Sequence, residues 1–192
     1  MEFNFATLWE KTADLIPNET AIICGDEQKT WGEYENVSAK LATALIDAGL
    51  TTYSKAGLYL HNSNEYLEAQ FSIFKIGGTP INVNYRYKSE ELLYLLDNSD
   101  CEALFYQACY GDQINKIKDS LPKIKAWIEV ADGSDSVVEN CVHYSSLIEQ
   151  CSEMERWNRP DDIVYMLYTG GTTGMPKGCL LYTSPSPRDK HR

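Results

Sequence analysis

Apolar positions along the chain alternate between two periods, one typical of helices and one typical of short strands. In the first segment, Phe5, Leu8, Trp9 and Ala13 recur at three- and four-residue intervals, which predicts an amphipathic helix. Short continuous apolar runs predict strands. The predicted helices cover residues 5–16, 30–48, a segment capped by Asn62 or Ser63 and ending at residue 76, a segment capped by Ser89, 110–121 and 144–150. The predicted strands cover residues 21–24, a partner ending near residue 29, 56–60, 79–83, 103–106, 126–130 and 163–168. A polar connector rich in charge, residues 152–162, leads into the last of these strands.

Residues 56–83 are predicted to form, in order, a strand, a helix and a strand. Such a βαβ unit joins parallel strands through a right-handed crossover. Because the alternation repeats further along the chain, the sequence predicts an α/β fold with layers, in which a mostly parallel sheet is flanked by helices. Thr30 and Glu33 have the spacing of a capping box, which marks where one helix begins.

Composition and charge exclude several function classes. The 192 residues carry a formal charge of −11, which disfavours a nucleic-acid partner, since such partners select clustered Lys and Arg. No apolar run has the length of a transmembrane segment, and the first residues do not resemble a signal peptide. The six cysteines are scattered, and the three histidines show no metal-ligand spacing. We therefore expect reduced thiols and a cytoplasmic protein.

Candidate chemistry concentrates in residues 168–178, Tyr-Thr-Gly-Gly-Thr-Thr-Gly-Met-Pro-Lys-Gly. Glycines let the backbone approach a ligand closely, and successive N–H groups can form an anion nest. Threonine hydroxyls and the Lys177 ammonium add donors suited to phosphate. The segment follows the apolar run 163–168, predicted to be a strand buried on both faces, and strands that end in Gly-rich loops are where open α/β sheets bind nucleotides. The sequence thus predicts a polyphosphate loop.

This loop differs from the common phosphate-binding motifs. Met175 and Pro176 separate Gly174 from Lys177, and Gly178 stands where G-x-x-x-x-G-K-[ST] requires a hydroxyl residue. The segment instead resembles the signature loop of the AMP-forming acyl- and aryl-CoA synthetases, the adenylate-forming superfamily. The resemblance extends over roughly residues 3–178 and is nearest to bacterial fatty-acyl- or steroid-acid-CoA ligases.

The resemblance implies a set of ligands and roles. Members join a carboxylate, here expected to be a fatty or other lipophilic acid, to ATP and then to coenzyme A, with Mg²⁺ as the metal. It implies that seven residues hold the β- and γ-phosphates: Thr169, Gly170, Gly171, Thr172, Thr173, Gly174 and Lys177. It assigns no catalytic or metal-ligating side chain within the chain. Arg86 follows a strand between two tyrosines, and we interpret it as a surface residue stacked on a ring, without a functional role.

Two features depart from the family. Residues 179–192 do not resemble it and end in a basic Pro/Ser-rich run, so we interpret 1–178 as the N-terminal portion of a large AMP-binding domain and 179–192 as a non-native or disordered tail. The family's later motifs, which supply a Mg²⁺-binding glutamate, a ribose-binding aspartate and a terminal lysine, are absent. We therefore expect the 192-residue chain to be inactive by itself.

Two alternatives remain open from the sequence. The chain could be a non-catalytic ATP-binding module, or part of an adenylation domain of another adenylate-forming enzyme. The presence of the later motifs in a continued reading frame would favour an enzyme, and their absence would favour the module.

Overall fold

The computed structural model describes residues 4–159, 163–169 and 176–182. The helices in this part are α1 (Phe5–Leu15), α2 (Trp31–Asp47), α3 (Asn64–Lys75), α4 (Ser89–Asn98), α5 (Gly111–Ile117) and α6 (Tyr144–Gln150). The strands are β1 (Thr20–Cys24), β2 (Glu27–Thr30), β3 (Lys55–Tyr59), β4 (Thr79–Asn82), β5 (Cys101–Gln107), β6 (Ala126–Val130), β7 (Val142–His143), β8 (Ile163–Thr169) and β9 (Lys177–Tyr182). Within the described ranges, no helix combines the length and apolar character needed to span a bilayer.

The main sheet has seven strands in the order β7-β6-β5-β3-β4-β8-β9. Every neighbouring pair is parallel except β8 and β9, which are antiparallel. β1 and β2 form a separate antiparallel pair. The predicted α/β fold, with a mostly parallel sheet and flanking helices, is confirmed.

The two faces of the main sheet are covered by different helices. On one face, buried residues of α2 and α3, such as Leu45 and Ile73, pack on Leu58 and Phe105. On the other face, buried residues of α4 and α5 pack on Leu104 and its neighbours. Strand residues of alternating sequence position point to opposite faces, so this central sheet is buried from both sides.

Helix starts follow the local chemistry of the chain, with one correction. The capping box is confirmed, because Thr30 Oγ1 accepts from the Glu33 N–H at 3.2 Å and the Thr30 N–H donates to the Glu33 carboxylate at 2.8 Å. Ser89, however, does not cap α4. The N-cap is Lys88, whose N–H donates to the Glu91 carboxylate at 2.9 Å, so that the acidic residue takes over the capping role. The helix predicted over 110–121 is α-helical only within α5, with a 3-10 turn at each end.

The end of the described chain corrects two further expectations. β9 was not predicted from the sequence, because its residues form a strand by pairing with β8 and not through a strand-like apolar pattern of their own. β8 is also less buried than predicted: Met166 is 8 % exposed, whereas Tyr165, Leu167 and Tyr168 are half-buried. The reason is its place one strand from the sheet edge formed by β9. β9 runs across the predicted boundary at residue 178, and the nature of the residues after it stays a prediction.

A buried ionic cluster ties the polar connector before β8 to three helices. The Lys75 side chain is fully buried, and its Nζ lies 2.7 Å from Glu10 Oε1 and 2.8 Å from Glu35 Oε1. Arg159, from the connector, places its guanidinium on the Glu10 carboxylate at 2.8 and 2.9 Å. Arg156 extends the cluster through Glu35 at 3.1 Å. The sequence predicts a polar, charged connector here, but Arg159 within it is buried.

Candidate functional site

The hairpin of β8 and β9 brings together the two ends of the predicted phosphate loop. Thr169 is the last residue of β8 and Lys177 is the first residue of β9, and the two are paired across the antiparallel ladder. The Lys177 side chain is exposed. The other five predicted phosphate-binding residues lie outside the described residues: Gly170, Gly171, Thr172, Thr173 and Gly174. Their phosphate contacts therefore stay a prediction, but the loop that holds them begins and ends at one defined point of the sheet.

That point lies at a topological switch of the sheet. β3 is followed by α3 on one face, whereas its neighbour β4 is followed by α4 on the other face. Chain connections that leave in opposite directions open a crevice at the carboxyl ends of the strands, where α/β proteins bind ligands. β8 runs parallel to β4, with Asn82 opposite Leu167, so the loop after Thr169 leaves the sheet at this same edge.

A groove of about 350 Å³ opens at this edge. It lies at the carboxyl ends of β3, β4 and β8. In the described part of the chain its lining carries amides, phenols and apolar groups, with no charged side chain: Leu60, Asn62, Tyr66, Asn82, Val83, Asn84, Tyr85, Tyr87 and Tyr168. The groove can offer hydrogen bonds to an uncharged part of a ligand, whereas charge on a phosphate has to be met by the adjoining loop.

Hydrogen bonds between side chains hold one wall of the groove in place. The Tyr66 hydroxyl donates to Asn82 Oδ1 at 3.2 Å and lies 3.0 Å from the Tyr165 hydroxyl. Burial, followed by the neighbouring Tyr165, raises the pKa of Tyr66. Burial likewise raises the pKa of Tyr165. Both phenols therefore stay protonated near neutral pH, and α3 is tied through them to β4 and β8.

A cluster of aromatic rings, Tyr59, His61, Tyr85 and Tyr110, flanks the groove beyond β3. Tyr110 and His61 share a hydrogen bond of 2.8 Å, and the Tyr59 ring lies 4.2 Å from that of Tyr110. The His61 ring lies 4.9 Å from that of Tyr85, and burial raises the pKa of Tyr110 to about 12. The exposed Arg86 guanidinium sits 5.5 Å from the centre of the Tyr85 ring, which confirms the stacking expected for it.

Sequence reasoning missed the polar lining of the groove. Asn62 was considered as a helix cap, but Ser63 caps α3, and its Oγ accepts from the Tyr66 N–H at 3.4 Å. Asn62 lines the groove instead. The signal that could have found these residues is positional: Asn62 and Asn84 each follow a parallel strand, and the carboxyl ends of parallel strands meet at one edge.

No cation site in the groove can be assigned from this lining. Mg²⁺ in nucleotide sites is held by carboxylates together with phosphate oxygens. The groove residues of the described segments include no carboxylate. The lining therefore offers Mg²⁺ only neutral amide and phenol oxygens.

Gly178 has a packing role that the sequence did not indicate. It lies opposite Tyr168 in the hairpin, and a Cβ at this position would sit 2.9 Å from Tyr168 Cζ. The Tyr168 hydroxyl donates to Asn98 Oδ1 at 2.9 Å, so the ring is anchored from its far end. A glycine facing an aromatic ring across two strands lets the ring lie flat on the backbone.

We expect Gly178→Ala to lower the free energy of unfolding by about 1–3 kcal/mol, because the added methyl group overpacks against an anchored ring. Urea unfolding followed by circular dichroism measures the change. The matched control is Cys179→Ala at the adjacent exposed position, which should change stability by less than about 0.5 kcal/mol. Equal stabilities of the two variants would show that the Tyr168 ring moves freely.

Comparison with known proteins gives a consistent picture. Residues 9–184 match the family described as AMP-binding enzyme. A medium/long-chain-fatty-acid–CoA/3-oxocholest-4-en-26-oate–CoA ligase of Mycobacterium tuberculosis is 39% identical over 180 residues, covering 92% of this chain and 33% of its own length. A 3-oxocholest-4-en-26-oate–CoA ligase of Rhodococcus rhodochrous is 37% identical over 183 residues, covering 94% and 33%. The chain thus spans about a third of the length of these relatives.

Solved structures share the fold. The anthranilate CoA ligase AuaEII, in complex with anthranoyl-AMP, has a TM-score of 0.83 at 24% identity, covering 93% of this chain and 34% of that one. The N-terminal domain of FACL13 from Mycobacterium tuberculosis, with an inhibitor bound, has a TM-score of 0.80 at 22% identity, covering 95% and 44%. At these identities the likeness shows the fold alone.

Proposed function

Because the chain belongs to the family of AMP-binding enzymes, we propose that it forms part of an ATP-dependent carboxylate:CoA ligase. In this reaction the carboxylate attacks the α-phosphorus of ATP to give an acyl-adenylate and pyrophosphate. The thiol of coenzyme A then attacks the acyl carbon, and AMP leaves. We propose a fatty or steroid acid as the carboxylate, since relatives at 37–39% identity are named for such acids.

The observation that carries the proposal is the position of the Gly/Thr-rich loop. Its two ends, Thr169 and Lys177, are paired at the carboxyl edge of the sheet, beside the groove at the switch point. Backbone N–H groups and hydroxyls of residues 169–174, with the Lys177 ammonium, would bind the β- and γ-phosphates. Charge that develops on the departing pyrophosphate would be stabilised by the same groups. When bound, Mg²⁺ supplies further neutralisation of phosphate charge.

The groove supplies neutral hydrogen-bonding groups next to this loop. Tyr66 and Asn82 hold each other in a fixed arrangement, which orients the wall before a ligand arrives. We also propose that the protein works in the cytoplasm, since its six cysteines are free thiols.

The test is ATP–pyrophosphate exchange by the whole protein, followed by an assay for the CoA thioester. The acids compared are a long-chain fatty acid, 3-oxocholest-4-en-26-oate and a free amino acid. We expect exchange that depends on the lipophilic acids and thioester formation with the same acids. Exchange without thioester would indicate another adenylate-forming enzyme. ATP binding without exchange would indicate the non-catalytic module.

A further inference from the structure

A cluster of three potential metal ligands lies at the opposite edge of the sheet from the phosphate loop. Glu129 is near the end of β6, Cys141 directly precedes β7, and His143 ends β7. One ligand atom from each lies within 4.8 Å of the others. His143 Nδ1 is 3.4 Å from Glu129 Oε1. In the described ranges this is the one group of its kind.

The placement follows from strand geometry. Cys141 and His143 are two positions apart in extended chain, so their side chains project to the same face. Glu129 is the direct cross-strand partner of His143 in the parallel ladder. No metal-ligand spacing is visible along the sequence because the third residue, Glu129, comes from a neighbouring strand.

From this cluster we infer that residues Glu129, Cys141 and His143 bind a divalent transition-metal ion, best matched by Zn²⁺. Thiolate, imidazole and carboxylate are the three ligand types that Zn²⁺ takes in proteins. Ligand atoms about 2.0–2.3 Å from a tetrahedral ion are roughly 3.3–3.8 Å apart, and the 3.4 Å separation of His143 and Glu129 lies in that range. Three protein ligands leave a fourth position open for water or another ligand.

The carboxylate of Glu129 is oriented as a metal ligand needs to be. It is 5 % exposed, and its Oε2 accepts from the Ser136 hydroxyl at 2.6 Å and from the Tyr106 hydroxyl at 3.1 Å. Both donors act on Oε2, which leaves Oε1 directed toward His143. Partners of this kind fix a ligating carboxylate in metal sites.

The position of Ser136 is itself built into the fold. A Cβ at Gly111 would lie 2.3 Å from Ser136 Oγ, so only glycine at the start of α5 admits this hydroxyl. Burying a carboxylate is costly unless a positive charge compensates it. Within the described part, the one cationic group in ion-pair distance of Glu129 is His143, if protonated. A bound divalent ion would supply the positive charge that the Glu129 carboxylate needs, and the His143 imidazole could then stay neutral.

The proposal is independent of the adenylation site. β6 and β7 lie at one end of the strand order, and β8 and β9 at the other. A protein that forms no acyl-CoA could therefore still bind the metal ion. A protein that binds no metal ion could still have the proposed ligase function.

The test is metal binding by the full chain, measured with Zn²⁺ in competition with a chromophoric chelator and with Co²⁺ by absorption. We expect one ion per chain and a thiolate-to-Co²⁺ charge-transfer band. Cys141→Ser should abolish the band, and His143→Ala should weaken Zn²⁺ binding more than 100-fold. Ser136→Ala, which removes only a supporting hydrogen bond, should weaken it about 10-fold.

Cys109→Ser is the matched control, since it removes an exposed thiol outside the cluster and should leave binding unchanged. The His143 side chain is 62% exposed, so His143→Ala should keep the fold even if Cys141→Ser does not. Zn²⁺ should also raise the melting temperature of the unmodified chain but not of His143→Ala. Equal Zn²⁺ affinity of the unmodified chain and His143→Ala, or a Co²⁺ spectrum without a thiolate band, would overturn the proposal and make the cluster purely structural.

Discussion

Lys177→Ala in the whole protein is expected to slow acyl-adenylate formation about 10²- to 10³-fold, the usual cost of removing one group that stabilises transition-state charge. Lys177 begins β9 opposite Thr169 at the end of β8, and the proposed function assigns its ammonium to the phosphates that the loop would hold. Because the side chain is exposed, its removal should leave the fold intact. The measurement is the pre-steady-state rate of pyrophosphate release, with the melting temperature recorded alongside.

Two further variants sharpen this experiment. Lys177→Arg keeps the positive charge and should recover part of the rate. Recovery should be incomplete because the planar guanidinium of arginine does not reproduce the compact ammonium of lysine. Lys116→Ala removes an exposed lysine of α5 and should leave the rate unchanged. Unaltered pyrophosphate release by Lys177→Ala would show that this residue does not act on the phosphates.

Lys75→Met is expected to lower the free energy of unfolding by about 3 kcal/mol, because it leaves the buried Glu10 carboxylate and the partly buried Glu35 carboxylate short of a cation. This loss of stability should lie at the lower end of the range for broken buried ion pairs, because each carboxylate keeps an arginine partner. Glu10 keeps Arg159 at 2.8 Å, and Glu35 keeps Arg156 at 3.1 Å. Urea unfolding followed by circular dichroism gives the free energy.

The control for this change is the same substitution in a surface pair. Lys123 lies 2.7 Å from Asp100, but both side chains are more than half exposed. Lys123→Met should therefore change stability by less than about 1 kcal/mol. If both substitutions cost the same, the buried cluster does not contribute as an ionic network, and its role in fixing the connector would need another explanation.

The connector links the ionic cluster around Lys75 to the strand that precedes the phosphate loop. Trp157 Nε1 donates to the Lys75 carbonyl at 3.0 Å, and Arg159 is buried beside it, four positions before β8 begins. β8 in turn delivers Thr169 to the carboxyl edge of the sheet. Destabilising the cluster should therefore also loosen the position of the phosphate loop, which makes the whole-protein adenylation rate of Lys75→Met a useful second readout.

Much of the local structure could be predicted from the sequence, because it depends on neighbours along the chain. The helical spacing of apolar residues, the Thr30–Glu33 capping box and the repeated βαβ alternation all act over a few positions. The composition of residues 168–178 likewise indicated a phosphate loop without any knowledge of the strand order. The contacts of that loop with phosphate stay a prediction.

Other features were decided only by the tertiary structure, because they join residues that are distant in the chain. β9 exists as the antiparallel partner of β8, and the groove exists because β3, β4 and β8 end at one edge. Arg159 is buried because its guanidinium meets a carboxylate of α1, far from it in sequence. Glu129 meets His143 through the pairing of β6 and β7. A one-dimensional pattern encodes periods and caps, but which polar groups face one another is set by strand order and register.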